Sequence, residues 1–297
     1  MLWFSIALLS SFLSAFAAIT QKKVLFNRDA LEFSFILSII NLIFSIPFFF
    51  FIDYSTINTF NITILFIKSI IGVAAFLCVM TALKNLQISN ALPLLALTPG
   101  FVAVFAFILL GESLKTAEVL GLISLIVGTY ILESKSLKEI FSPFAVFIKS
   151  KYHHYILLAL LLFTASSILD KLLLVRLNLS PISLTAFQHL FFAILFAAVY
   201  VLFLLYNNEN IHEKTLEIFQ KKDLGWIALI SILTIGYRFT QIVAVKLASV
   251  ALVLAVKRTS VLWATIIGGK IFKDSNLLKK TIAVIFILLG AILILRE

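Results

Sequence analysis

Two stretches decide how this chain folds: GESLKTAEVLGLISLIVG at 111–128 and KDSNLLKKTIAVIFILLG at 273–290. Each carries an acid in second place, Glu112 or Asp274, and each then enters an apolar segment with small residues seven apart. These are Gly121 and Gly128 in the first, Ala283 and Gly290 in the second. Upstream, Ala82-Leu83-Lys84 precedes the first stretch at the distance by which Ala244-Val245-Lys246 precedes the second. Nearer the front, Ala18-Ile19-Thr20-Gln21-Lys22 aligns with Ser167-Ile168-Leu169-Asp170-Lys171. Ordered similarity of this kind predicts a duplicated unit, with copies at 1–133 and 155–297 and a polar linker loop at 134–154.

Composition says what surrounds the unit. Of 297 residues, 62% are hydrophobic and 13% charged, with a mean hydropathy of +1.13. A soluble domain carries roughly a quarter charged residues, so lipid is the solvent here. A spanning helix needs about 20 apolar residues. Runs of that kind fall near 2–22, 33–52, 59–82, 90–110 and 116–132, then near 155–176, 183–206, 224–245, 249–269 and 278–295. Open strands are excluded, because unpaired backbone groups in hydrocarbon cost several kcal/mol each. The expected fold is an all-α integral membrane protein of about ten transmembrane helices. Five helices per copy is an odd number, so the second copy enters the membrane inverted, an arrangement that marks secondary transporters. The first run is read as a span and not as a secretory leader, since no basic residue precedes Lys22.

Several function classes drop out. The net charge of +10 lies mostly in short clusters between apolar runs, where it meets lipid headgroups, so no nucleic-acid partner is implied. Cys78 is the single cysteine, which leaves no disulfide within the chain and no metal box. No nucleophile frame and no phosphate-binding glycine loop is present. The chain is read as no enzyme, with no cofactor and no metal.

Cations inside spans are the informative residues. Lys68 lies midway along the third run, Arg238 within the eighth, and Lys257-Arg258 near the middle of the ninth. Each costs about 2.5–3.5 kcal/mol at a helix centre unless it meets water or a partner. The central thirds of the spans carry no Asp or Glu, with Asp170 near the end of the sixth run. Two readings follow: a substrate supplies the negative charge, or the cations snorkel and pair with Asp170 and backbone carbonyls. Tyr237, Arg238 and Gln241 share a helical face, and Gln188-His189 offers further polar groups in the seventh run. Pro93 and Pro99 break the backbone ladder of the fourth run, so that helix is expected to border the site and to hinge. Gly121, Gly128 and Gly290 place small residues on one face for close helix contact, either between the ends of the halves or in a homodimer through the fifth and tenth helices.

The pattern Ala82-Leu83-Lys84, Ser89-Asn90-Ala91-Leu92, Thr98-Pro99, Gly111-Glu112, Gly121 and Gly128, with its partner Lys257-Arg258-Thr259-Ser260, Gly268-Gly269, Phe272-Lys273-Asp274 and Gly290, resembles the drug/metabolite transporter superfamily in its EamA-like branch. The resemblance implies ten helices, no cofactor and alternating access around a central cavity. The sequence departs from the pattern at Asp274, where the family more often has Glu, and at Val261, where the first half has Pro99. The basic pair Lys257-Arg258 looks like the phosphate-binding pair of the sugar-phosphate branch.

The expected function is secondary transport of a small anionic or zwitterionic metabolite, with Lys257, Arg258, Arg238, Tyr237, Gln241, Gln188, His189 and Lys68 binding it. A proton-coupled exporter of amino acids or amphipathic compounds, with His189 carrying the proton, is one alternative. A non-transporting scaffold or lipid-headgroup binder is another. Partners are the small-molecule substrate and membrane lipid, and the location is the plasma (inner) membrane. Lys and Arg crowd the loops after the odd-numbered runs, which puts both termini outside, whereas the resemblance implies cytoplasmic termini.

Overall fold

A computed structural model describes residues 2–97, 116–133, 150–220, 222–248 and 250–294. Among them the secondary structure is helical, as a chain that must satisfy its own backbone in lipid requires. Six helices are long and apolar enough to cross a membrane: α1 (Leu2–Leu25), α2 (Ala30–Phe49), α3 (Thr59–Asn85), α6 (Lys151–Lys171, prolonged by a π turn to Arg176), α7 (Pro181–Tyr206) and α9 (Leu224–Leu247). Between and after them lie α4 (Ile88–Leu95), α5 (Thr116–Glu133), the surface helix α8 (Ile211–Phe219), α10 (Val250–Arg258), α11 (Ser260–Trp263), α12 (Gly269–Ile271) and α13 (Leu277–Ile294). Caps set several starts. The Asn58 side chain accepts from the Asn61 N–H at α3, and Ser180 accepts from the Ser183 N–H at α7, where Pro181 needs no donor partner.

The main helix pairings all join one half to the other. α1 packs on α9, α3 on α6, α2 on α7 and α5 on α13. Exchanging the halves maps this set onto itself. Two pairs join equivalent helices, and both run antiparallel. Along α2 and α7, Phe35 stacks on Tyr200 at 4.6 Å while Phe49 meets Phe187 at 5.6 Å. Along α5 and α13, Gly128 lies against Ala283 and Ile287, and Gly290 against Gly121 and Leu125. Equivalent helices that meet antiparallel are related by a two-fold axis that runs across them. The glycine stripe serves this contact within the chain: a Cβ on Gly290 would stand 2.6 Å from the Gly121 carbonyl oxygen.

The same symmetry appears in two lysines. Lys22 Nζ donates to the carbonyls of Leu83 (2.6 Å), Leu86 (2.8 Å) and Lys84 (3.2 Å) at the end of α3. Lys171 Nζ donates to Ala248 (2.7 Å) and Val245 (3.0 Å) at the end of α9. Each ammonium satisfies carbonyls that a helix leaves open at its C-terminus, where a cation also meets the favourable end of the helix dipole. Leu83 and Val245 are the residues that the repeat alignment equates. Further ties between the halves gather near the ends of α1, α3 and α12. Arg28 forks onto Asp223 at 2.6 and 2.7 Å while reaching Glu32 at 2.8 Å, and Ser89 donates to Asp274.

One expectation about the runs changes, and others lie partly outside the described residues. The ninth run is not one regular helix: it breaks at Thr259, whose N–H bonds back to Val256, and it passes through a π turn at Ala264–Gly268. The sixth run, expected at 155–176, is helical from Lys151 and ends in a π turn at Leu172–Arg176, with Asp170 just before that turn. The fourth run is described only to residue 97, so Pro99 and the count of ten helices rest on residues outside those described, as does most of the 134–154 linker.

Candidate functional site

Polar residues on α9 recur at Thr234, Tyr237, Arg238 and Gln241, which puts them on one face. That face looks into a cavity of about 140 Å³. From α7 come Gln188 and His189, then Phe192 and Phe196 one and two turns further on. α10 contributes Leu254, Lys257 and Arg258. α2 contributes Ser34, Leu37, Ser38 and Asn41, α3 contributes Gly72 and Phe76, and α6 contributes Phe163, Ser166 and Ser167. The cavity thus has cations around one end and phenyl rings around the other.

Behind the cationic end stands Asp170, 3% exposed. Its carboxylate pairs with Lys68 Nζ at 2.9 Å and Arg238 Nη2 at 2.6 Å. Gln188 Oε1 accepts from both cations, at 2.6 Å from Lys68 and 3.0 Å from Arg238 Nη2. Four helices, α3, α6, α7 and α9, are therefore tied at one level. A buried pair of this kind is costly to break, because the partner left behind is an uncompensated charge. The reading in which cations pair with Asp170 holds for Lys68 and Arg238. Lys68 is a network residue behind the wall and does not line the cavity.

Lys257 is held differently. Its Nζ donates to Gln241 Oε1 and lies 4.8 Å from the centre of the Tyr237 ring. Both partners are neutral, and the ring face contributes a modest cation–π attraction. The backbone beneath is fixed from α1: Ser10 donates to the Tyr237 carbonyl at 2.7 Å, and Ser11 shares a hydrogen bond with Thr259 at 2.7 Å, beside the break that ends α10. Arg258 lines the cavity next to Lys257. His189 is 3% exposed, and neither ring nitrogen has a hydrogen-bond partner. It lines the cavity beside Gln188.

The structure thus brings together Lys257, Arg258, Arg238, Tyr237, Gln241, Gln188 and His189. It leaves Pro93 elsewhere. The described part of α4 packs against α6 and the 264–268 π turn, and none of it lines the cavity. Sequence reasoning left Asp170 as one of two alternatives for the counter-ion, and it missed the phenyl wall. A signal for Asp170 existed: Leu172–Val175 continues the apolar run beyond it. Among the described residues no cluster of His, Cys, Asp or Glu is arranged for a metal.

Comparison with known proteins agrees with this architecture. One solved crystal structure, described only as that of a protein, superposes with a TM-score of 0.61 at 16% identity, covering 98% of this chain and 94% of its own. At that identity the likeness concerns the fold alone. No curated protein matches the chain. The model of the EamA-like transporter family matches twice, over 1–134 and over 150–296, once for each half. A double match over nearly the whole length, on a set of apolar helices that pair across a two-fold axis around a polar cavity, identifies the chain as an integral multi-pass membrane protein that belongs to the EamA-like transporter family of the drug/metabolite transporter superfamily.

Proposed function

We propose that this protein is a secondary transporter that carries a small organic anion or zwitterion by alternating access, through ten helices arranged as two inverted five-helix units. The observation that carries this reading is Lys257: a cavity-lining ammonium whose partners, Gln241 and the Tyr237 ring, are both neutral. An ammonium in a low-dielectric interior without a carboxylate gains strongly from an anionic ligand. Arg258 adds a second positive group, and Arg238, already anchored on Asp170 and Gln188, presents the rest of its guanidinium. Gln241, Gln188 and Tyr237 orient the ligand, and His189 accepts from it or donates to it. Lys68 supports the site from behind, through Asp170.

The test is uptake by proteoliposomes of labelled carboxylates and phosphorylated sugars, with Lys257→Met and Arg258→Met compared to the parent chain. A charge-assisted hydrogen bond is worth about 1.5–3 kcal/mol, so each variant should lose roughly 10- to 100-fold in uptake while keeping its unfolding temperature near that of the parent. Unchanged uptake in both variants would overturn the anion reading.

A further inference from the structure

The cavity changes character along its length, and this names a substrate class. Its far end is a ring box. Phe76 and Phe196 meet edge to face at 6.0 Å, and Phe192 and Phe196 at 6.2 Å. The box exists because residue 72 has no side chain: a Cβ there would stand 2.7 Å from Phe192 Cζ. Aromatic rings prefer this edge-to-face packing, and one further ring extends it. Three of the lining hydroxyls are turned away from a ligand, whereas Thr234 Oγ1 is buried without a hydrogen-bond partner. Ser34, Ser38 and Ser167 donate to the carbonyls of Ala30, Phe35 and Phe163 on their own helices. These three serines offer a sugar ring or a polyol no donor.

Size and charge narrow the class further. A volume of about 140 Å³ is close to the roughly 150 Å³ of an engineered cavity that holds a benzene ring. Among the described residues the lining carries no Asp or Glu, so an ammonium on the ligand meets no carboxylate, and the nearest one, Asp170, already pairs with two cations.

We infer that the substrate is an organic anion with one ring-sized apolar body, its carboxylate or equivalent head on Lys257 and Arg258 and its ring among Phe76, Phe192 and Phe196. This rests on the anion reading above and goes further by fixing what the rest of the ligand is. The class is an aryl or comparably bulky monocarboxylate, in preference to a sugar phosphate, an amino acid or an aromatic amine.

The experiment measures competition by unlabelled compounds for uptake, together with thermal stabilisation of the purified full-length chain. The probes are phenylacetate, acetate, inorganic phosphate, glucose 6-phosphate, phenylalanine and phenylethylamine. Phenylacetate should bind at least about tenfold more tightly than acetate, as burial of a ring implies, and more tightly than phenylalanine or phenylethylamine. Gly72→Ala, which drives a methyl group against Phe192, should lower the phenylacetate-to-acetate ratio. Phe76→Leu should do the same if the glycine variant folds poorly. Lys257→Met should weaken both acids. Glucose 6-phosphate or phosphate binding in a Lys257-dependent way, with phenylacetate no better than acetate, would overturn the ring-body inference and leave the anion reading intact. Phenylethylamine or phenylalanine matching phenylacetate would overturn it as well. Binding by none of the anions to folded protein would remove both.

Discussion

Equivalent positions in the two halves carry opposite chemistry. The register fixed by Lys22 on Leu83 and Lys171 on Val245 sets Arg238 opposite Phe76, Lys257 opposite Leu95 and Arg258 opposite Ala96. Arg238 and Phe76 both face the cavity, whereas Leu95 and Ala96 are buried in apolar packing. The acceptor and the ring that hold Lys257, Gln241 and Tyr237, correspond to Val79 and Ala75. Duplication produced the scaffold, and divergence placed the cavity-lining cations in one copy. The helix contacts are symmetric because backbone packing tolerates little change. The cavity wall is free to differ because its partner is a solute.

The largest expected effect tests the network that stabilises the charged half. Asp170→Ala leaves Lys68 and Arg238 buried without their carboxylate and should cost about 3–5 kcal/mol, seen as a lower midpoint of unfolding in detergent. Replacing the trio together, Lys68→Met with Asp170→Leu and Arg238→Met, should restore most of that stability while anion uptake stays lost. If Asp170→Ala were neutral, the two cations would have another source of compensation.

Next comes the reverse graft. Leu95→Lys puts an ammonium at the place equivalent to Lys257, without a glutamine or tyrosine to hold it. It should cost about 2.5–3.5 kcal/mol, read as a reduced folded fraction after membrane extraction. Free tolerance of this change would mean that the first half can host charge as readily as the second.

Smaller effects probe what the halves share. Gly128→Ala and Gly290→Ala press a methyl group onto the facing backbone at α5 and α13, within 2.9 Å of the Ala283 carbonyl oxygen and 2.6 Å of the Gly121 carbonyl oxygen. Each should cost about 1–3 kcal/mol, and nearly equally. Gly225→Ala, with nothing within 4 Å of its Cβ, should stay within about 0.5 kcal/mol. Last, Lys22→Met and Lys171→Met each leave helix-end carbonyls without a donor, at about 1–3 kcal/mol. Lys22 should cost more, since it serves three carbonyls to the two of Lys171.

How much of this was legible in the sequence depends on what carries the signal. The duplication was, because the spacing of Gly121, Gly128, Ala283 and Gly290 survives where side chains drift. The α9 face was, because Tyr237, Arg238 and Gln241 follow helical spacing. The pairing of Lys68 and Arg238 with Asp170 stood as one of two alternatives, since sequence does not show the depth at which residues of different helices meet. The phenyl box was hidden by abundance: with 30 phenylalanines, nothing in sequence sets apart the few that face inward. The break at Thr259 was hidden too, because its neighbours are ordinary helix formers.

The three-way charge network has a consequence for how the chain is made. Lys68 leaves the ribosome and enters the bilayer with α3 long before its carboxylate has been translated. Until α6 arrives, that cation must be carried at about 2.5–3.5 kcal/mol by the surrounding apolar residues, and α3 is the most apolar of the six long spans. Asp170 then meets one waiting partner. Arg238, on the least apolar of those spans, enters last, when its docking carboxylate is already in place. The order of synthesis thus matches the order in which each span can bear an unpaired charge, and a circular permutant that begins at α9 should insert that helix poorly.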